Sequence, residues 1–92
     1  MKWCCAQFEF YVQRAGERGI GVFADASDES RPAFFVQFRA VDYGVEASVT
    51  CAAPVSMMVE VGILRCPWCG ADLQKWYRKR IGDLNKPHLR VQ

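Results

Sequence analysis

The chain has 92 residues and five cysteines, at positions 4, 5, 51, 66 and 69. The most specific arrangement among them is Cys66-Pro67-Trp68-Cys69-Gly70. Two thiolates at i and i+3 reach one tetrahedral ion when the chain between them turns tightly. Pro67 presets φ at the first turn position. Gly70 permits the positive φ that lets backbone N–H groups point at the sulfurs. A knuckle of this form supplies two of the four ligands that a structural zinc site needs. Cys4 and Cys5 are the candidates for the other two. Adjacent residues of an extended strand point to opposite faces, so both reach one ion only where the backbone bends. The alternatives are one of the pair together with His88, or with a water, or with Cys51. Cys51 shares a strand-like face with Val49 and reads more simply as a buried thiol. His88, in a polar tail next to proline, reads more simply as a solvated histidine.

The same tetrapeptide supports a second chemistry. A strand that ends in Cys-Pro-Trp-Cys and leads into a helix is similar to the dithiol of glutaredoxin-type proteins. A thiolate at a helix N-terminus is acidified and reactive. Cys66 would then be the nucleophile of a thiol-disulfide oxidoreductase and Cys69 the resolving thiol. Such folds place the dithiol after their first strand and need a long α/β remainder, whereas only 23 residues follow Cys69. Gly70 also favours the knuckle, so a metal site is the leading expectation. No Ser/His/Asp set, phosphate-cradling glycine loop or second histidine offers another enzymatic mechanism. Asp25, Asp28 and Glu29 read as a solvated acidic loop.

Positioning these thiols requires a fold. The length suits one small domain with a thin core, read as residues 1–84 with a loose basic tail over 85–92. Apolar residues at 51% and aromatics at 13% exclude a disordered composition. No secretory leader is visible, and no apolar run approaches the roughly 20 residues of a membrane span. The expected compartment is therefore the cytoplasm, where cysteines read as ligands or free thiols rather than disulfides.

Alternation at Phe8, Phe10 and Val12, then at Ile20, Val22 and Ala24, suggests two strands separated by a charged, glycine-containing turn over 14–19. Residues 33–41 make the clearest strand, with Phe34, Val36, Phe38 and Ala40 on one face and Gln37 and Arg39 on the other. Residues 42–54 are ambiguous, and 55–64 read as the last strand, with Met57, Val59, Val61 and Ile63 along one side. After Gly70 the period changes: Leu73, Trp76, Tyr77 and Ile81 recur at helical spacing, and Gly82 and Pro87 set its end. The predicted fold is α+β, mostly β: an antiparallel sheet of about four strands with a C-terminal helix and a zinc-ribbon-like knuckle at the sheet end. If the strands run up, down, up, down, the start of the first and the end of the last lie together. Cys4-Cys5 then meets Cys66 and Cys69.

Charge is unevenly spread. Residues 1–74 carry six Lys/Arg and nine Asp/Glu, while residues 75–92 carry six Lys/Arg and Asp83 alone, a net of −3 against +5. Lys75, Arg78, Lys79 and Arg80 interleave with Trp76 and Tyr77. Such a face can hold phosphates and stack bases, although the plainer reading packs the aromatics on the sheet and leaves the charges in solvent. The partner expected there is nucleic acid or protein. Phe35, facing away from the main apolar side, leaves a homodimer open as well.

The order Trp3-Cys4-Cys5, Gln7-Phe8, then Phe38-Arg39-Ala40-Val41-Asp42, then Cys66-Pro67-Trp68-Cys69-Gly70-Ala71-Asp72-Leu73 resembles a group of small bacterial and phage-type zinc-ribbon-like proteins. They share an N-terminal Cys-Cys and a C-terminal Cys-Pro-x-Cys-Gly knuckle. The resemblance spans most of residues 3–80 and implies a zinc site that joins the two ends. It implies no activity. An ordinary zinc ribbon has Cys-x-x-Cys as its first knuckle, where this chain has Cys4-Cys5.

Overall fold

The computed structural model describes residues 2–27, 31–44 and 58–90. In chain order they form helix α1 (Ala6–Gln13), strands β1 (Gly19–Asp25), β2 (Ala33–Arg39) and β3 (Met58–Ile63), and the short helix α2 (Leu73–Tyr77). Two 3-10 turns follow, Ile81–Asp83 and Pro87–Leu89. The three strands form one antiparallel sheet with β2 in the middle.

The strand expected at residues 8–13 is a helix. Phe8 and Val12 are both buried and four residues apart, a spacing that lies on one side of a strand and on one side of a helix alike. Phe10 decides between them. It is 51% exposed, on the outside of α1, beneath the Arg14 guanidinium. Ala6, Gln7 and Glu9 favour the helical backbone. The sheet therefore has three strands among the described residues rather than four. Residues 45–57, which include Cys51 and the ambiguous segment, lie outside the described residues.

The core is built on the face of the sheet that α1 covers. Val22, Ala24, Phe34 and Val36 meet Phe8, Val12, Leu73, Tyr77 and Leu84 there. Phe38, which shares the strand face of Phe34 and Val36, is 45% exposed. It pairs with Ile20 and Val59 across the sheet. Val59 and Val61 on the edge strand are likewise exposed.

The opposite face is covered too. Phe23, Phe35 and Leu89 form a second small cluster. Gln37 and Arg39, on the face opposite Phe34 and Val36, are buried, and both donate to the Leu89 carbonyl, at 2.5 and 3.0 Å. Residues 85–90 were expected to be loose. Instead Asn85 bridges to Ala24 at the edge of β1, and the Lys86 N–H donates to the Ala24 carbonyl at 2.9 Å. Arg90 pairs with Asp25 at 3.0 Å and Glu60 at 3.5 Å while lying over the Phe35 ring. A carbonyl from the tail satisfies two buried donors of β2, and Leu89 closes the apolar surface around Phe23 and Phe35.

The expected long C-terminal helix is also shorter. Asp72 caps its start by accepting from the Gln74 and Lys75 N–H groups, as an N-cap carboxylate does. α2 then ends at Tyr77. Arg80 leaves the helical path, at φ −128°, and lays its guanidinium over the Trp3 and Tyr77 rings while donating to the Lys2 carbonyl.

Candidate metal centre

Residues 64–73 form a tight hairpin beyond β3. The Cys66 N–H donates to the Ala71 carbonyl at 2.9 Å, the Gly70 N–H to the Cys66 carbonyl at 2.9 Å, and the Leu73 N–H to the Leu64 carbonyl at 3.3 Å. Gly70 sits at φ +79°, the left-handed geometry the turn needs. The Trp68 and Cys69 N–H groups point at the Cys66 sulfur, and the Ala71 N–H at the Cys69 sulfur.

The N-terminal pair approaches from the start of α1. The chain bends at Trp3 and Cys4, and Cys5 is the extended N-cap residue, at φ −161°. That bend removes the objection that adjacent cysteines face opposite ways. The Cys5 side chain makes no capping bond to the helix. Its sulfur lies 3.6 Å from that of Cys66 instead. Cys4 is tied back through its N–H, which donates to the Tyr77 hydroxyl at 3.0 Å.

All four sulfurs, of Cys4, Cys5, Cys66 and Cys69, lie within 4.8 Å of one another. Thiolates at about 2.3 Å from a tetrahedral ion stand roughly 3.8 Å apart, so the cluster has the dimensions of a four-thiolate site. None of the four is in a disulfide. His88 is not among them; it sits edge-on to Tyr43 in the last 3-10 turn.

The thiols differ in character. Burial pushes Cys4 up to about 12, although its hydrogen bond with Tyr77 works the other way. Burial also raises Cys66, against the two N–H groups aimed at it. The Ala71 N–H lowers exposed Cys69. These directions oppose the oxidoreductase alternative. An attacking Cys66 would be accessible and acidified, yet it is 3% exposed and raised. Nor does the dithiol sit at a helix N-terminus, because α2 begins three residues after Gly70, capped by Asp72. The cluster suits an ion that displaces four protons and replaces thiol–thiol crowding with four metal–sulfur bonds.

The fold and site thus define a small α+β domain whose two ends converge on a four-cysteine cluster able to hold a metal ion. No protein-family model, curated protein or solved structure matches the chain. Among the described residues no helix is long and apolar enough to cross a membrane.

Proposed function

We propose that this protein is a small non-enzymatic zinc-binding domain, zinc-ribbon-like in the way its knuckle closes the site. The metal is structural and is held by Cys4, Cys5, Cys66 and Cys69. The carrying observation is the convergence of four sulfurs from opposite ends of the chain to within 4.8 Å. A full set of four thiolates favours zinc over harder cations and leaves no open position for a substrate or a reactive water. About two-thirds of the chain separates the two halves of the site, so an ion there acts on the fold as a cross-link. Function then rests on the surface the cross-link holds in shape, an interaction module for another macromolecule.

The test is elemental analysis of untagged protein purified without added zinc, with thiols titrated before and after a mercurial reagent. One zinc per chain, lost together with cooperative unfolding in Cys66→Ser, supports the reading. Metal-free folded protein with a Cys66–Cys69 disulfide that cycles under mild reductant would replace it with the oxidoreductase.

A further inference from the structure

The structure contains a second feature that the metal centre does not use. Two concavities flank residues 75–80 and share Lys75 and Arg78 as the ridge between them. One continues past Gln74 to Arg31 and Pro32 in the loop before β2, and the other is lined by Trp76 and Lys79. The Gln74 side-chain amide donates to the Pro32 carbonyl at 2.6 Å, which fixes the loop carrying Arg31 against the same wall. Arg31, Lys75, Arg78 and Lys79 are all exposed. No carboxylate lines either concavity among the described residues. Trp76 stands in the middle of this charge with its residue 39% exposed. Arg80 is occupied by the Trp3 and Tyr77 rings and the Lys2 carbonyl, so four cations remain for a ligand.

The geometry points to a binding surface for a single-stranded polynucleotide, with phosphates on Arg31, Lys75, Arg78 and Lys79 and one base stacked on Trp76. A run of negative charges matches four cations around a ridge that no carboxylate lines among the described residues. An accessible indole among them adds something a merely anionic chain cannot use. Unpaired bases present a π-face that stacks on an aromatic side chain without sequence preference. In a duplex those faces are hidden, so Trp76 gains nothing from it. The surface depends on the fold and not on the identity of the metal.

The test is fluorescence polarisation of the intact, as-purified protein with labelled dT10 and, separately, rU10. Binding of either or both supports the proposal, and the pair shows whether the sugar matters. Four phosphate contacts give a log–log salt slope of about −3, hence about 50-fold weaker binding between roughly 50 and 200 mM salt. Trp76→Ala should weaken binding about tenfold with the slope unchanged. Lys75→Glu combined with Arg78→Glu should weaken it at least about tenfold and flatten the slope by about 1.4, or 0.7 for each lost contact. Arg18→Glu, at the opposite end of β1, should leave binding within about twofold, and circular dichroism checks that each variant is folded. No binding of either oligonucleotide overturns the proposal. So does an equal loss in Arg18→Glu, which would make the effect one of total charge. Equal competition by a DNA duplex, or by an octaglutamate peptide, which would place an acidic protein there instead, overturns it as well.

Discussion

Tyr77→Phe removes one oxygen atom from the middle of the molecule and tests whether Tyr77 holds Cys4 in place as a ligand. The ring is fully buried and stacked on Phe8, with centroids 4.9 Å apart, and lies against Trp3 and Phe34. Phenylalanine keeps all of that packing. What it loses is a hydroxyl that accepts from the Cys4 N–H at 3.0 Å and hydrogen-bonds the Cys4 sulfur. A hydroxyl can do both, since it carries one proton and two lone pairs. Without it a half-buried N–H loses its partner, at a cost of about 1–2 kcal/mol. A thiolate ligand also loses the group that orients it, and such outer partners are worth roughly 10- to 100-fold in metal affinity. The two estimates overlap near tenfold.

The assay is competition for zinc with a chromophoric chelator, run beside thermal unfolding. Tyr77→Phe should release zinc to about tenfold less chelator and unfold at least about 4 °C lower. Tyr11→Phe removes the same atom from the ring stacked on Trp68 and should change zinc affinity less than about twofold. Equal affinity for wild type and Tyr77→Phe, with both folded, would show that Cys4 does not depend on Tyr77 for its position. The role of Tyr77 as the group that orients the Cys4 ligand would then fall.

Three further outcomes follow from the same geometry. In metal-free protein, Cys4 rises from the ordinary thiol value of 9.0 to about 12, so the folded chain keeps a proton that the unfolded chain has lost. Its stabilising contribution is intact below about pH 9 and is lost as pH rises towards 12; the urea midpoint of metal-free protein should fall across that window, and a flat or rising midpoint would contradict the shift. Gly70 has open space where a Cβ would go but sits at φ +79°, so Gly70→Ala should cost about 1 kcal/mol, and Gly70→Asn less, by denaturant titration; equal effects would exclude backbone strain as the cause. Ending the chain after Lys86 removes Leu89 and the carbonyl that Gln37 and Arg39 share, so it should destabilise by about 3 kcal/mol or more; a truncated protein as stable as the full chain would mean that the tail does not dock.

The knuckle was legible because its chemistry is local: proline, glycine and two cysteines at fixed spacing describe one turn. The meeting of the chain ends was legible for a less local reason. The topology argument needed only elements that reverse direction, and α1 reverses the chain as a strand would. Its starting assumption, a strand at Phe8, was nevertheless wrong, because Phe8 and Val12 fit both periods and only Phe10 separates them. The burial of Gln37 and Arg39 was not legible. It depends on Leu89, some 50 residues away, folding back to offer its carbonyl. A polar residue on an alternating strand looks solvated until something distant covers it. The end of α2 is a similar case, since Arg80 leaves the helix for Trp3, at the other end of the chain.

Where the cluster sits bears on what a metal would do there. Cys66 belongs to the main core, and Cys4 and Cys5 pack on it; the site extends the interior and is no appendage on a loop. A link between Cys5 and Cys66 closes a loop with a sequence separation of 61. Treated as a simple cross-link, that closure removes about 4 kcal/mol of chain entropy from the unfolded state. A domain of this size has a total stability of only about 5–15 kcal/mol. The constraint is therefore comparable with everything else that holds the fold. On the zinc reading, stripping the metal does more than vacate a pocket. It frees the start of α1 from the hairpin after β3, and the aromatic layer of Trp3, Phe8 and Tyr77 that spans the two loses its fixed edge. Chelation should therefore lower the near-ultraviolet signal of Trp3 and Tyr77 before the sheet itself melts, because the hydrogen bonds between β1, β2 and β3 do not pass through the cluster.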